Sequence, residues 1–201
     1  MSKLLVSLDD ITLRRGVDLW MQDIYMVVMG LNPSAGANAS VTVSGSTTIP
    51  MPKELQGWFY IQISPFLEMR RDHKFTFPGG FPLYYADPGD LASIYFAVVR
   101  SRDKTRTQAA IVSGIGNALS KVVGSIGTIA SLTNPAAAGV TAVATLIPII
   151  ANIVQTEMIN CKDNLRYTNV LTFRKSEKYL VGKHTDWGTQ RADMTLDVCF
   201  E

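Results

Sequence analysis

Short stretches of alternating apolar and polar residues make up most of the chain. Near the N-terminus Leu4, Val6 and Leu8 share one face, and the next two residues, Asp9–Asp10, predict a turn. The last ten residues carry the clearest alternation, with Asp193, Thr195, Asp197 and Glu201 on the polar face and, on the other, Met194, Leu196, Val198 and Phe200. A strand of this kind covers a core with one face and meets water with the other.

Further strands are predicted throughout the chain outside its middle part, at Asp23–Met29, Trp58–Ile63, Ser93–Val99, Arg166–Phe173 and Lys178–Val181. Asp23–Met29 is apolar on both faces, which indicates a central strand. Turn chemistry separates the strands, most clearly at Pro78–Pro82 and Asp87–Asp90. Strands spaced by roughly 10 to 15 residues with turns between them predict an antiparallel β-sandwich.

The predicted fold is therefore mainly β with an α insert. About eight strands, C2-like in shape, form one domain over residues 1–201, with the sandwich built from 1–105 and 162–201. Residues 106–160 interrupt it.

In this insert the apolar period changes from two to about 3.6, which is typical of a helix. One stripe consists of Ile111, Ile115, Leu119, Val122, Ile126, Ile129 and Leu132. A row of small residues runs beside it, at Gly116, Ser120, Gly124 and Thr128, and a second row follows at Ala137, Thr141 and Thr145. Asn134–Pro135 breaks the pattern between the two rows. The sequence predicts a long apolar helical hairpin near 107–159, with arms of about 30–35 Å that the small residues allow to pack closely.

The charge distribution sets the insert apart from the rest of the chain. Charged residues make up 18% of the sequence, yet between Thr107 and Thr156 the only one is Lys121. The net charge of +2 is too balanced for a nucleic-acid-binding protein, and an apolar content of 47% excludes intrinsic disorder.

One interpretation of the insert is membrane insertion, in a non-enzymatic, pore-forming or toxin-like protein. Twenty uncharged, mostly apolar residues are long enough to cross a bilayer core, and Ile147, Ile149 and Ile150 extend the apolar surface of the second arm. Four cations precede the first arm, where they would contact anionic headgroups: Arg100, Arg102, Lys104 and Arg106. The partner is then a lipid bilayer.

The other interpretation is packing. Helices rich in Ala, Gly, Ser and Thr also pack tightly on sheets or between subunits, and the far face of the first arm is polar, with Ser113, Asn117 and Lys121. The chain would then be a self-assembling structural subunit, a homo-oligomer whose partners are copies of itself. The sequence leaves both interpretations open.

Catalytic and metal chemistry have little support. The two histidines, His73 and His184, have no ligand spacing to each other or to cysteine, and no nucleophile motif is present, so we expect neither an enzyme nor a zinc site. Calcium binding stays an open alternative, because aspartates lie at the predicted ends of strands. A C2-like sandwich would bring together the carboxylates of Asp9, Asp10, Asp18, Asp23, Asp87 and Asp90. We otherwise expect no cofactor. Cys161 and Cys199 are too few for a disulfide framework, and free thiols are favoured over a single bridge.

Aromatic residues and the N-terminus complete the expectations. Trp20, Trp58, Tyr84, Tyr85 and Trp187 are core candidates, or an interfacial belt if several lie at one end of the sandwich. The first ten residues hold too short an apolar run for a signal peptide. We expect synthesis in the cytoplasm without a cleaved leader, followed by release or membrane association.

Overall fold

The strands of the described residues form two antiparallel sheets in a computed structural model. The structure describes residues 2–15, 18–31, 47–48, 59–103, 105, 107–111, 113–118, 148–149, 151–158, 160–185 and 187–201. The strands are β1 (Leu4–Leu13), β2 (Gln22–Leu31), β3 (Thr47–Thr48), β4 (Phe59–Ile63), β5 (Leu67–Met69), β6 (Lys74–Ala86), β7 (Leu91–Arg100), β8 (Asn164–Arg174), β9 (Gly182–His184) and β10 (Ala192–Phe200). The smaller sheet has the order β6-β1-β10-β9, and the larger has β3-β4-β2-β7-β8, with β5 paired to β2. The predicted mainly β fold of two antiparallel sheets is confirmed.

The core lies between the sheets because each contributes one apolar face. Alternate residues of β1 and β10 are buried, and they meet Ile24, Met26 and Val28 of β2 within one apolar cluster. The predicted inward face of the C-terminal strand is confirmed for Met194, Leu196 and Val198. Its last member, Phe200, is 42% exposed, since it lies at the end of the strand.

One turn prediction is confirmed. At Asp87–Asp90 the Asp87 side chain accepts a hydrogen bond from the Gly89 amide at 3.0 Å, and the backbone of Gly89 is left-handed.

Two others are wrong, and they are wrong at the same place. Asp9–Asp10 lies inside the continuous strand β1, and the Pro78–Pro82 segment lies inside β6. The pairing of these strands shifts register between Leu8 and Asp10, where Phe81 and Thr76 are the successive partners. Residues 77–80 therefore bulge out opposite Asp9, with positive φ at Gly79 and Gly80. A bulge favours the same residue types as a turn, so the sequence pattern does not distinguish one from the other.

The strand predicted at Lys178–Val181 is also wrong. The chain forms a 3₁₀ segment over Lys175–Leu180, and β9 begins at Gly182. Tyr179 explains the difference, because its ring is buried at the edge of the core and its hydroxyl donates to the carbonyl oxygen of Gly89.

β2 is central, as predicted, with β4 and β7 as its neighbours and both faces buried. Tyr25, Val27 and Met29 face away from the smaller sheet, yet water reaches none of them. Their partners on β7, Tyr95, Ala97 and Val99, are buried on the same outer face.

In the insert the structure describes helical residues within 108–118, called α1, and within 148–160, called α2. The two helices approach at Gly114, where an added Cβ would lie 3.0 Å from Cδ of Glu157. The long apolar hairpin is not found in the described residues, whose helix at α1 has 11 residues, and 119–147 lies outside them. No described helix has the length and apolar character needed to cross a membrane.

Candidate functional site

Nine of the 15 basic residues that the structure describes lie near one another at one end of the sandwich. β1 ends there beside the start of β10, with Leu13 opposite Ala192, and β7 ends there beside the start of β8, with Arg100 opposite Asn164. The ends of these strands, the loops next to them and the loop between β5 and β6 carry Arg14, Arg15, Arg70, Arg71, Arg100, Arg102, Lys162, Arg166 and Arg191. We call this region the basic end.

Some of these cations are paired, and others are not. Arg14 contacts Asp193 at 2.6 Å and Asp72 at 3.5 Å, and Arg100 contacts Asp18 at 2.9 Å. Within the described part of the chain, no carboxylate lies in ion-pair range of the following arginines: Arg15, Arg102, Arg166 and Arg191. Among the described residues, the basic end therefore has more positive charge than its ion pairs neutralise.

Arg166 lies close to two other arginines and one carboxylate. Burial lowers its pKa most, the positive charges of Arg100 and Arg102 lower it further, and the negative charge of Asp18 raises it. The guanidinium remains charged at neutral pH, because its ordinary pKa is so high. Asp18 is paired with Arg100, so an anionic ligand or surface would reduce the repulsion between Arg166 and Arg102.

An apolar tip projects from the same end. Leu19, Trp20 and Met21 are 67%, 71% and 51% exposed, although they are the kind of residue that normally enters a core. Their loop is held by its stem: the Asp18 carboxylate binds Arg100, and the Asp18 carbonyl accepts from the Arg71 amide at 3.1 Å. The tip is thus a positioned part of the surface.

Arginines and the tip share a groove. A cavity of about 320 Å³ is lined by Met21, Gln22, Asp23, Arg100, Ser101 and Arg102. Apolar surface and cationic groups therefore alternate within a single recess, an arrangement suited to a ligand that has both an apolar and an anionic part.

A larger groove lies beside Arg166. It measures about 680 Å³ and is lined by Arg15, Leu165, Arg166, Thr189, Gln190 and Arg191. The loops on its two sides are joined by the Arg15 amide, which donates to the Arg191 carbonyl at 3.3 Å.

The insert is anchored next to the basic end. Tyr25, buried on the outer face of β2, donates its hydroxyl to Oδ2 of Asp163 at 2.6 Å and contacts Sδ of Met158 on α2. Oδ1 of Asp163 accepts from the Arg102 amide at 3.2 Å, so one carboxylate joins both ends of the insert to the sheet. The side chains of the two helices that are fully buried are Ile111, Ile115, Val154 and Met158.

Only some of the residues predicted for membrane insertion lie in the described part of the chain. Ile111 and Ile115 are buried, and Ile149 is half-buried. The other members lie outside the described residues: Leu119, Val122, Ile126, Ile129, Leu132, Ile147 and Ile150. Of the predicted packing residues Gly116 is half-buried, while Ser120, Gly124, Thr128, Ala137, Thr141 and Thr145 are likewise outside. At the described contact between the helices it is Gly114 that faces Glu157.

The predicted headgroup cations fall in the same two classes. Arg100 is bound to Asp18, and Arg102 is exposed. Lys104 and Arg106 lie outside the described residues.

The aspartates considered for calcium are not gathered into one site. Asp9 binds Lys183 at 2.7 Å, Asp10 binds Lys74 at 2.8 Å, and Asp18 binds Arg100. Among the residues that the structure describes, no three His, Cys, Asp or Glu side chains are grouped for a metal ion. No disulfide joins Cys161 and Cys199, both of which the structure describes, and the sequence favoured this alternative over a single bridge.

The aromatic residues predicted for the core, or else for an interfacial belt, have different outcomes. Tyr84 is buried and Trp187 packs against the core, as the first alternative predicts. Tyr85 is half-buried, and Trp58 lies outside the described residues. The core prediction is wrong for Trp20, and sequence reasoning missed its exposed neighbours Leu19 and Met21. Three consecutive large apolar residues after Asp18, outside any alternation, were the available signal.

Comparison of the chain with family models, curated proteins and solved structures finds no match. The functional conclusions therefore rest on the chemistry of the basic end.

Proposed function

We propose that the protein is a non-enzymatic membrane-active protein that docks on anionic bilayers through its basic end. The observation that carries the proposal is the apolar tip, Leu19–Met21, exposed directly beside Arg100 and Arg102. Tryptophan partitions to the membrane interface, and arginines attract anionic headgroups. The insert, in which Lys121 is the only charged residue between Thr107 and Thr156, supplies the segment that enters the bilayer, in a pore-forming or toxin-like action.

The tip and the arginines provide enough free energy for reversible binding. An aromatic side chain offers roughly 150–250 Å², of which 71% is free on Trp20. At about 25 cal/mol per Å² its half-burial in the interface stabilises the bound state by about 1–2 kcal/mol. Each of the four unpaired arginines adds about 1 kcal/mol near an anionic surface. The total of about 5–6 kcal/mol corresponds to a dissociation constant between roughly 1 mM and 1 μM.

The experiment is vesicle flotation with the full chain. Neutral phosphatidylcholine vesicles are compared with vesicles containing phosphatidylglycerol, and a Trp20→Ser variant is compared with Phe200→Ser. Phe200 is a suitable control, because it is also partly exposed but lies at the opposite end of the sandwich.

The proposal expects flotation with anionic vesicles only, and a loss of about 5- to 30-fold in affinity for Trp20→Ser. Phe200→Ser should bind like the wild type. Dye release from the anionic vesicles then tests pore formation. Equal binding by all three proteins, or none by the wild type, would refute docking through the tip.

Self-assembly is a second candidate, favoured by a different observation. The burial of Ile111, Ile115, Val154 and Met158 gives the ends of the insert a packing role. β8 also lies at the edge of the larger sheet, with Val170 exposed, and an open edge can pair with a second copy. Native mass measured without lipid decides this candidate: a concentration-independent oligomer supports it, and a monomer excludes it.

A further inference from the structure

The larger groove of the basic end has the composition of an anion site. Arg15, Arg166 and Arg191 reach it from three separate segments: the loop after β1, the strand β8 and the loop before β10. We call it the arginine groove. Thr189 and Gln190 add a hydroxyl and an amide to its wall.

An unsatisfied donor marks the groove independently of its charge. Nε of Arg166 is buried and has no hydrogen-bond partner in the described structure. Buried donors are almost always paired, because losing water without a replacement partner is costly. The same residue lines the open groove, so its guanidinium group is the one there that still has an unpaired N–H.

The carboxylates nearest the groove form their ion pairs with arginines outside it. Asp193 is bound to Arg14, and Asp18 is bound to Arg100. Asp18 attracts Arg166 from a distance, and Arg100 and Arg102 repel it. A ligand entering the groove therefore meets guanidinium groups that no described acid has already engaged.

We propose that the arginine groove binds a phosphomonoester group, with Arg166 as its central donor. The planar fork of arginine matches the oxygens of phosphate, and two or three guanidinium groups suit the double negative charge of a monoester. The inference rests on the proposed function and deepens it: the phosphomonoester belongs to a lipid headgroup, and the tip beside it enters the same bilayer.

The test separates phosphate recognition from general charge attraction. Vesicles containing phosphatidic acid, a phosphomonoester, are matched in surface charge to vesicles containing phosphatidylglycerol, a diester. The wild type should bind the former roughly tenfold more tightly, the gain from one charge-assisted hydrogen bond. Equal affinity for both vesicles would overturn the inference while leaving membrane docking intact.

Variants on β8 provide the control. Arg166→Gln should lose the preference for phosphatidic acid and still float with both anionic vesicles. Arg166→Lys should lose this preference as well, because lysine keeps the positive charge but lacks the planar guanidinium group that binds two phosphate oxygens. Arg174→Gln removes an exposed arginine from the other end of the same strand and should behave as wild type. A preference that survives in Arg166→Gln would assign recognition elsewhere and overturn the inference.

Titration with inorganic phosphate distinguishes the source of the group. If soluble phosphate binds the wild type and not Arg166→Gln, and the protein floats with no vesicle, the groove serves a free phosphate ligand and membrane docking is refuted. If neither phosphate nor phosphatidic acid binds, the groove is not a phosphate site.

Discussion

Replacing Tyr25 by phenylalanine should detach the insert from the sheet more than it disturbs the sandwich. The substitution removes only the hydroxyl that donates to Asp163 at 2.6 Å. Both residues are buried, and a hydrogen bond to a charged group contributes about 1.5–3 kcal/mol to stability. Asp163 keeps the hydrogen bond from the Arg102 amide, so its carboxylate still has a backbone donor in the variant.

For a chain of this length, a loss of about 2 kcal/mol lowers Tm by roughly 4–8 °C. The loss should be concentrated in α2, since Met158 lies near its C-terminal end and Asp163 follows it after a turn. Hydrogen exchange measured by mass spectrometry should therefore show faster exchange of the amides of 151–158, with those of β1 changed less.

Tyr95→Phe is the matched control for this variant. Tyr95 is buried on the same outer face of the larger sheet, but no described residue binds its hydroxyl. Its removal should leave Tm and the exchange of α2 close to wild type. If Tyr25→Phe also leaves both unchanged, or speeds exchange in β1 as much as in α2, the hydroxyl does not anchor the insert.

Two further predictions concern buried polar groups. Both polar atoms of the Gln22 amide are buried without a partner among the described residues. Gln22→Met should therefore raise the free energy of unfolding, measured in urea, by about 1–2 kcal/mol. A variant less stable than the wild type would contradict this prediction. Burial raises the pKa of Tyr95 to about 12. The unfolded state loses this proton near pH 10, so stability should fall as pH rises from about 10 to 12. Tyr95→Phe should make the fall shallower, and an unchanged slope between these pH values would rule out the contribution of Tyr95.

The alternation along the strands was sufficient to predict the two-sheet fold and the inward faces of β1 and β10. It could not separate turns from bulges. Asp9 and the glycines at 79 and 80 oppose one another across β1 and β6, and each looks like a turn until the partner strand is known. Local composition is the same in both cases, and only the pairing differs.

The sequence likewise predicted one part of the candidate site and not the rest. Arg100 and Arg102 were predicted as headgroup contacts, because they are clustered in the sequence just before the insert. Arg15, Arg166 and Arg191 come from distant segments, and only the fold places them around one groove. For Trp20 the sequence leaves both a core position and an interfacial belt open, because apolar character alone does not show whether a loop turns its side chains inward or outward.

The position of the insert has a consequence for how this protein can change over evolution. Arg100 and Asn164 are paired neighbours on β7 and β8, so the sandwich accommodates residues 101–163 as the loop of a single hairpin. Lengthening a loop is inexpensive, since each doubling costs only about 0.6 kcal/mol in closure entropy. Its middle can therefore diverge in length and composition while the scaffold stays constant. The two sheets would then form a constant frame, and the segment between Arg100 and Asn164 would be the part in which variants differ.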